Sequence, residues 1–392
     1  MAIRVDSGRG RAALMVGHCA GMVDLVALPV WVGILIERFH FDPQQAGGLV
    51  TIFLGGVVLA SVLLAPFFQR LPGRVVATVG YGISSFSFFV ASGTSGPLLL
   101  TALHGLAGIA TGAALSLTHG TMATSSRPHR MMALAGVALG VFAILFMGSV
   151  PHLLRTHGGT TLFVVLGGVM AAAAVFAAVF FPTPANRQMP VVGYQLPVRL
   201  PRAVWFGMAG FACLNFVQAM ANSFLERVGA DHGFTHGQVG AALLTMAIFS
   251  MFPGALAALL ERRISARNVL LIGPALHGLM VVVVMKATVF PAYVASMALV
   301  PSLMIFTHTF AFGAIAKMDN SGRALAAMPA TLMAGSALAP LVAGTLVKFS
   351  GYDALALGAV AFAIASLLCF SRLPKEDGKR HSEVASEIRT VR

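Results

Sequence analysis

Thirteen acidic side chains occur in the 392 residues, and one of them, Asp24, falls in the middle of a long apolar run. A charge at a bilayer centre costs about 2.5–3.5 kcal/mol even on the mild insertion scale, so an acid retained there marks a functional site by default. Asp24 shares a helix face with Gly17, Ala20 and Gly21, which turns it toward protein rather than lipid. Two uses fit such a group. It carries a proton or small cation that drives transport, or it is a structural carboxylate held by hydrogen bonds from neighbouring helices. His104 stands in a stripe with Thr111 and Thr118, beside Gly108. An imidazole gains and loses a proton near neutrality, which fits a proton partner for Asp24. The other reading is a buried histidine bonded to a backbone carbonyl.

Asn215, Gln218 and Asn222 follow one another at i, i+3 and i+7, forming one polar stripe in an apolar run. Carboxamides bind hydroxyls, carbonyls and amines without demanding a charge. They also glue helices together, at about 0.6 kcal/mol per contact. His18, His119 and His308 lie in three apolar runs, and Met15, His18, Cys19 and Met22 share one face. That face has soft-metal character. His18 and Asp24 are nevertheless about 120° apart on the helix, and no metal is assigned. No Lys or Arg stands mid-run, which disfavours a strongly anionic cargo. Phe142, Phe146, Phe216, Phe306 and Phe310 add aromatic faces suited to a neutral, weakly basic or amphipathic organic molecule. There is no H-E-x-x-H and no phosphate-binding glycine loop with Lys, so the chain is expected to be no enzyme and to need no cofactor. An ion gradient, with protons favoured, would supply the energy.

The elements that must position these residues follow from composition. The chain is 57% hydrophobic and 10% charged, with mean hydropathy +0.86. Soluble domains carry about 25% charged residues, so this is a polytopic membrane protein. Twelve apolar runs are long enough to span, at 12–36, 44–68, 73–92, 96–123, 130–153, 160–181, 203–226, 237–260, 268–289, 291–316, 324–348 and 353–371. Their continuous apolarity predicts helices rather than barrel strands, hence an all-α membrane protein. Asp42-Pro43-Gln44-Gln45 and Thr235-His236-Gly237-Gln238 carry helix-start signals. Arg4, Arg9 and Arg11 before an apolar run imitate a secretory signal, but Asp24 interrupts the run and no A-x-A site follows, so an uncleaved first span is expected. Cys19, Cys213 and Cys369 lie within apolar runs, which argues against a disulfide framework.

The net charge of +13 is a topology signal. With the N-terminus in the cytoplasm, 21 of the 26 Lys and Arg fall on that side, a strong positive-inside bias that removes any need for a nucleic-acid partner. The proline-bearing segment 182–202 is expected to link a six-span half, 1–181, to a second, 203–392. A gapless offset of 193 pairs Gln45 with Gln238, Gly47 with Gly240, Arg70 with Arg263, Arg74 with Arg267, Gly80 with Gly273 and Arg130 with Arg323. Each half has an even number of spans, so the repeats are parallel.

With these features the chain resembles the major facilitator superfamily of secondary transporters over nearly its whole length. Ala65-Pro66-Phe67-Phe68-Gln69-Arg70-Leu71-Pro72-Gly73-Arg74 is similar to the family's gating loop G-x-x-x-D-R-x-G-R, with Ala for Gly, Gln69 for the acid and one extra residue before Gly73. Glu261-Arg262-Arg263-Ile264-Ser265-Ala266-Arg267 is its second-half counterpart. His104, Gly108 and Gly112 fall on the family's R-x-x-x-G-x-x-x-G pattern, with histidine in place of arginine. Gly335, Pro340 and Gly344 resemble the G-x-x-x-G-P-x-x-x-G packing and kink motif of the eleventh span.

The resemblance implies a central cavity lined by spans 1, 4, 7 and 10, and two halves that rock about it. On that frame Asp24 and His104 are the proton-coupling pair. Asn215, Gln218, Asn222, Thr111, His119, His308 and Phe306 are the expected substrate contacts, and Arg70, Arg74, Glu261, Arg263 and Arg267 the gate elements. The expected partners are a small-molecule substrate and the lipid bilayer. The expected setting is a monomer in a bacterial inner membrane with both termini cytoplasmic. Export by antiport is favoured by the eleventh-span motif. Proton symport of an organic solute or metal chelate is the alternative, and a non-transporting receptor or assembly factor on the same fold is the competing class.

Overall fold

The computed structural model describes residues 3–64, 67, 70–183, 200–261, 263–319 and 323–374. Of the expected features, most of the linker (184–199), Ala65, Pro66, Phe68, Gln69 and Arg262 of the loops, and the basic tail from 375 lie outside the described residues. The first half runs α1 (Gly8–Gly21), α2 (Val23–Phe39), α3 (Pro43–Leu64), α4 (Gly73–Ser92), α5 (Pro97–Ala123), α6 (Pro128–His157) and α7 (Thr161–Phe180). The second runs α8 (Arg202–Asn222), α9 (Leu225–Asp231), α10 (His236–Phe249), α11 (Pro253–Leu260), α12 (Ala266–Lys286), α13 (Phe290–Met318), α14 (Arg323–Ala337) and α15 (Ala339–Ser371).

Among the described residues, eleven stretches are long and apolar enough to cross a membrane, and the last, Thr331–Ser371, has 41 residues. At about 1.5 Å per residue that is roughly twice the ~30 Å hydrocarbon core. It is two crossings: Gly351 breaks the helix at φ 70°, ψ −167°, a backbone state that glycine tolerates. Twelve spans result. Several are broken internally. The first is interrupted at Met22, the seventh between Asn222 and Leu225, the eighth before Pro253, and the eleventh at Leu338, just before Pro340. The start signals form reciprocal caps. Asp42 Oδ1 accepts from the Gln45 amide at 2.9 Å while Gln45 Oε1 accepts from the Asp42 amide at 3.1 Å, and Thr235 and Gln238 do the same.

The 193-residue repeat reappears as geometry. Gly80 of α4 packs on Ala114 of α5, and Gly273 of α12 packs on Thr307 of α13, its mates by the offset. Arg74 donates from Nε to the Ala178 carbonyl and from Nη2 to the Val179 carbonyl, both at 2.7 Å, capping the C-terminus of α7. Its mate Arg267 donates to the Leu373 carbonyl at 2.7 Å, at the C-terminus of α15. Both arginines therefore bind the last helix of their own half.

At the end carrying the N-terminus, Asp6 accepts from the Ser126 amide at 3.0 Å and the Ile3 carbonyl accepts from the Thr183 amide at 3.0 Å. The Ser126 amide bond, with Arg11 and Arg4 nearby, outweighs partial burial and holds the Asp6 carboxyl below its usual range. At the opposite, distal end the halves meet along α3 and the start of α15. There Lys348 Nζ donates to Asp42 Oδ2 at 3.0 Å and to Gln44 Oε1 at 3.2 Å, and the Leu341 amide donates to Thr51 Oγ1 at 3.1 Å. A Cβ on Gly47 would meet the Pro340 carbonyl, and one on Gly344 the Pro43 carbonyl. Small residues here permit backbone contact between the halves.

Candidate functional site

Asp24 sits in the first turn of α2, just past the break at Met22, where the carboxylate lies against the Asp24 and Leu25 amides at the positive end of a helix dipole. It is 7% exposed and its Oδ1 has no hydrogen-bond partner. The space beside it is a void of about 10 Å³ lined by Met22, Leu25, Leu54, Val58, Leu332, Met333 and Ser336. That volume admits about one water-sized occupant. Met22, Leu25, Leu54 and Val58 belong to the first half and Leu332, Met333 and Ser336 to the second, so the acid sits at a seam between the two halves.

His104 is fully buried elsewhere. Its Nδ1 pairs with the Leu100 carbonyl at 2.8 Å, and Nε2 has no partner. Trp31, Phe88 and Phe163 surround the ring at centroid distances of 5.6, 6.0 and 5.3 Å. Trp31 lies two helical turns beyond Asp24 on the same helix, so the imidazole is not brought to the carboxylate. Thr111 is also fully buried, pairing with Ser84 Oγ at 2.9 Å between α4 and α5. Gly108 and Gly112 let the backbones of α5 and α3 touch, at Phe53 and Val57.

The structure does bring His18 and His119 together. Nδ1 of His18 and Nε2 of His119 are 2.9 Å apart, joining α1 to α5 in the half of the membrane nearer the termini. One ring donates to the other, so the pair shares a proton-bearing bond. Among the described residues no group of three His, Cys, Asp or Glu is placed to hold a metal ion. In α8, the Asn215 amide donates to the Phe211 carbonyl at 2.9 Å, while Gln218 Nε2 donates to Asn222 Oδ1 at 2.9 Å. Gln218 Oε1 pairs with His277 Nε2 of α12 at 3.0 Å, so the stripe is partly turned onto a neighbouring helix. His308 packs between Phe211 and Phe312, at centroid distances of 5.0 and 4.7 Å. Phe306 packs on Phe310 at 5.2 Å. Arg70 and Arg263 are exposed near the helix ends, and Gly335 packs on the Ala212 backbone of α8.

The arrangement is two bundles of apolar helices meeting along seams, with the Asp24 carboxyl in one of them and polar clusters tying spans 1 to 4 and 7 to 9. A family model described as Major Facilitator Superfamily matches residues 13–318. The chain belongs to the Major Facilitator Superfamily. Membership of this family makes the chain a transporter rather than an enzyme. The fold is similar to a mutant of the nucleoside transporter NupG, with TM-score 0.72 and 14% identity over 92% of this chain and 98% of that one. It is equally similar to a bacterial homologue of the human lysosomal transporter Spinster, inward-facing and occupied, with TM-score 0.72 and 13% identity over 93% and 94% of the two chains. No curated protein sequence matches the chain significantly.

Three residues of this MFS chain stand out in the structure without having been singled out in the sequence. His277 is the buried partner of Gln218. Its signal was a lone histidine inside an apolar run. Tyr81 donates to the Gly17 carbonyl at 2.7 Å and pairs with Thr118 at 3.2 Å, tying α4 to α1 and α5. Glu226 abuts Gly33 of α2 across the halves. It continues the stripe Asn215, Gln218, Asn222 by four residues, which is the signal that could have found it.

Proposed function

We propose that this MFS transporter is proton-coupled and moves a small neutral, weakly basic or amphipathic organic solute by alternating access, with export favoured. The observation that carries the reading is Asp24, a buried carboxyl with an unpartnered oxygen in a seam that both halves line. Rocking of the halves changes that seam. A proton on Asp24 removes a charge that the closed seam would otherwise desolvate, so protonation and closure favour each other. The His18–His119 pair and the amides Asn215 and Asn222 are the proposed polar contacts for cargo, and the positive-inside count supports cytoplasmic termini in a bacterial inner membrane.

The test is transport by the purified protein in vesicles under an imposed pH gradient, across a panel of organic cations, neutral aromatics and nucleosides. A gradient-driven flux that Asp24→Asn abolishes, while substrate still raises the thermal midpoint of the variant, is the expected result. Unchanged flux with unchanged pH dependence in Asp24→Asn would remove the coupling role.

A further inference from the structure

The 193-residue repeat sets the His18–His119 pair beside a counterpart in the second half. The offset carries the two histidines onto Phe211 of α8 and Phe312 of α13. Those rings also touch, at a centroid distance of 5.4 Å against 5.1 Å for the imidazoles. The same helix contact is therefore packed by two phenyl rings in the second half and by two imidazoles in the first. Phenylalanine satisfies its shape, so packing does not account for the ring nitrogens of the first-half contact. His308 lies against both phenyl rings, at 5.0 and 4.7 Å, and completes an aromatic wall.

The imidazole pair has no counter-charge. The helices around it, α1, α4, α5, α6 and α7, contain no Asp or Glu, and their arginines (Arg9, Arg11, Arg74, Arg130 and Arg155) stand at helix ends. Asp24 lies beyond the break at Met22. Cys19 is the next residue on α1, and the Tyr81 hydroxyl is taken by the Gly17 carbonyl and Thr118. Two neutral imidazoles carry two N–H protons, and one of these occupies the 2.9 Å bond between His18 Nδ1 and His119 Nε2. The donating ring keeps a lone pair on its outer nitrogen, and the accepting ring carries its N–H there. The outer nitrogens, His18 Nε2 and His119 Nδ1, thus offer one acceptor and one donor, and neither is bonded to another described residue. A neutral group that both donates and accepts fits either tautomer.

The halves meet along α3 with α14 and α15, α6 with α10 and α2 with α9, whereas α1 and α5 pack on first-half helices and α13 on second-half helices. The repeats are parallel, so the two ring pairs stand at the same depth on opposite sides of the axis that relates the halves. We propose that these two walls together bind a neutral arene carrying a hydroxyl or a primary carboxamide. Its ring lies against Phe211, His308 and Phe312, and its polar group meets an outer nitrogen of His18 or His119. The proposal rests on the reading of the chain as a carrier of an organic solute and names the chemistry of that solute. It does not involve Asp24.

The test uses the full chain in detergent, with benzamide as the probe. The dimethylated amide of benzoic acid removes the donor, cyclohexanecarboxamide removes the aromatic ring, and benzoate and benzylammonium add a charge. In calorimetric titration benzamide should bind about 10-fold tighter than the dimethyl amide or either charged analogue, and about 3-fold tighter than cyclohexanecarboxamide. His18→Phe together with His119→Phe copies the second-half contact. It should keep the thermal midpoint and lose the preference for benzamide over the dimethyl amide, while His119→Gln, which retains a donor and an acceptor, should keep part of it. Phe211→Leu together with Phe312→Leu should erase the preference for benzamide over cyclohexanecarboxamide. Asp24→Asn should bind benzamide as the wild type does, whatever its flux, which separates failure of this site from failure of the coupling role. Equal binding of the dimethyl amide, tightest binding of a charged analogue, or an unchanged preference in the paired histidine variant would each overturn the site.

Discussion

At the scale of single residues, the membrane interior sorts polar groups by whether they find partners. Asp24 does not complete its hydrogen bonding, whereas Gln218 does, through Asn222 and His277. Removing one partner of a buried bond costs about 1–3 kcal/mol, because the other is left unsatisfied. Gln218→Leu is therefore expected to lower the thermal midpoint of the purified protein. Restoring it with His277→Leu in the same chain would identify the loss as an orphaned imidazole, and a second loss that merely adds to the first would argue against the pairing. His104 illustrates the opposite limit of sequence reasoning. Its helix and face were legible, but its neighbours Trp31, Phe88 and Phe163 come from three other spans and no spacing within span 4 encodes them.

At the scale of elements, the gate-loop arginines act as helix caps. Arg74 and Arg267 each serve the C-terminus of the last described helix in their own half. A cation there contributes about 0.3–1 kcal/mol. Arg74→Ala is expected to lower stability by that order, read as a thermal midpoint, and Arg74→Lys to recover part of it, since lysine keeps the charge but loses the planar fork. A large drop in transport with an unchanged midpoint would instead place the residue in a gate. The seam of α3 and α15 depends on glycine. Gly47→Val would drive a side chain into the Pro340 carbonyl, so it should favour a distally open form, measured as a longer spin-label distance between the distal ends of α3 and α15. An unchanged distance would mean that the seam does not govern closure.

At the scale of the whole molecule, the distal closure has a defined pH behaviour. Burial pushes the Asp42 carboxyl up, but the Gln45 amide, the Lys348 bond and charge, and the Gln44 amide outweigh it and hold the group below its usual range. A carboxyl depressed in the closed form contributes above its ordinary value of about 3.9 and loses that contribution as pH falls through the lower value. The Asp42–Lys348 bridge is therefore intact across the neutral range and is no physiological proton switch. Asp42→Asn should weaken distal closure equally at about pH 5 and pH 8, leaving the pH profile of transport unaltered; a flattened profile would refute this. The bridge is half-exposed, so its loss should be modest and should shrink in high salt.

The sequence by itself determined the number of spans and their approximate places, the caps at Asp42 and Thr235, the 193-residue repeat and the position of Asp24 inside a span, but not the exact helix limits or the internal breaks. Each rests on local physics: hydropathy over about 20 residues, end-group hydrogen bonding, and the cost of a charge in lipid. Only the tertiary structure decided what each polar face meets. It turned Gln218 onto His277, enclosed His104 in aromatic rings, joined His18 to His119, and set Asp24 in a seam shared by both halves. The reason is that lipid and a neighbouring apolar helix are nearly equivalent to an apolar side chain. Helical periodicity says which residues share a face, but the rotation of that face is fixed by close contacts of small residues on other spans, such as Gly108 on Phe53 and Gly47 on Pro340.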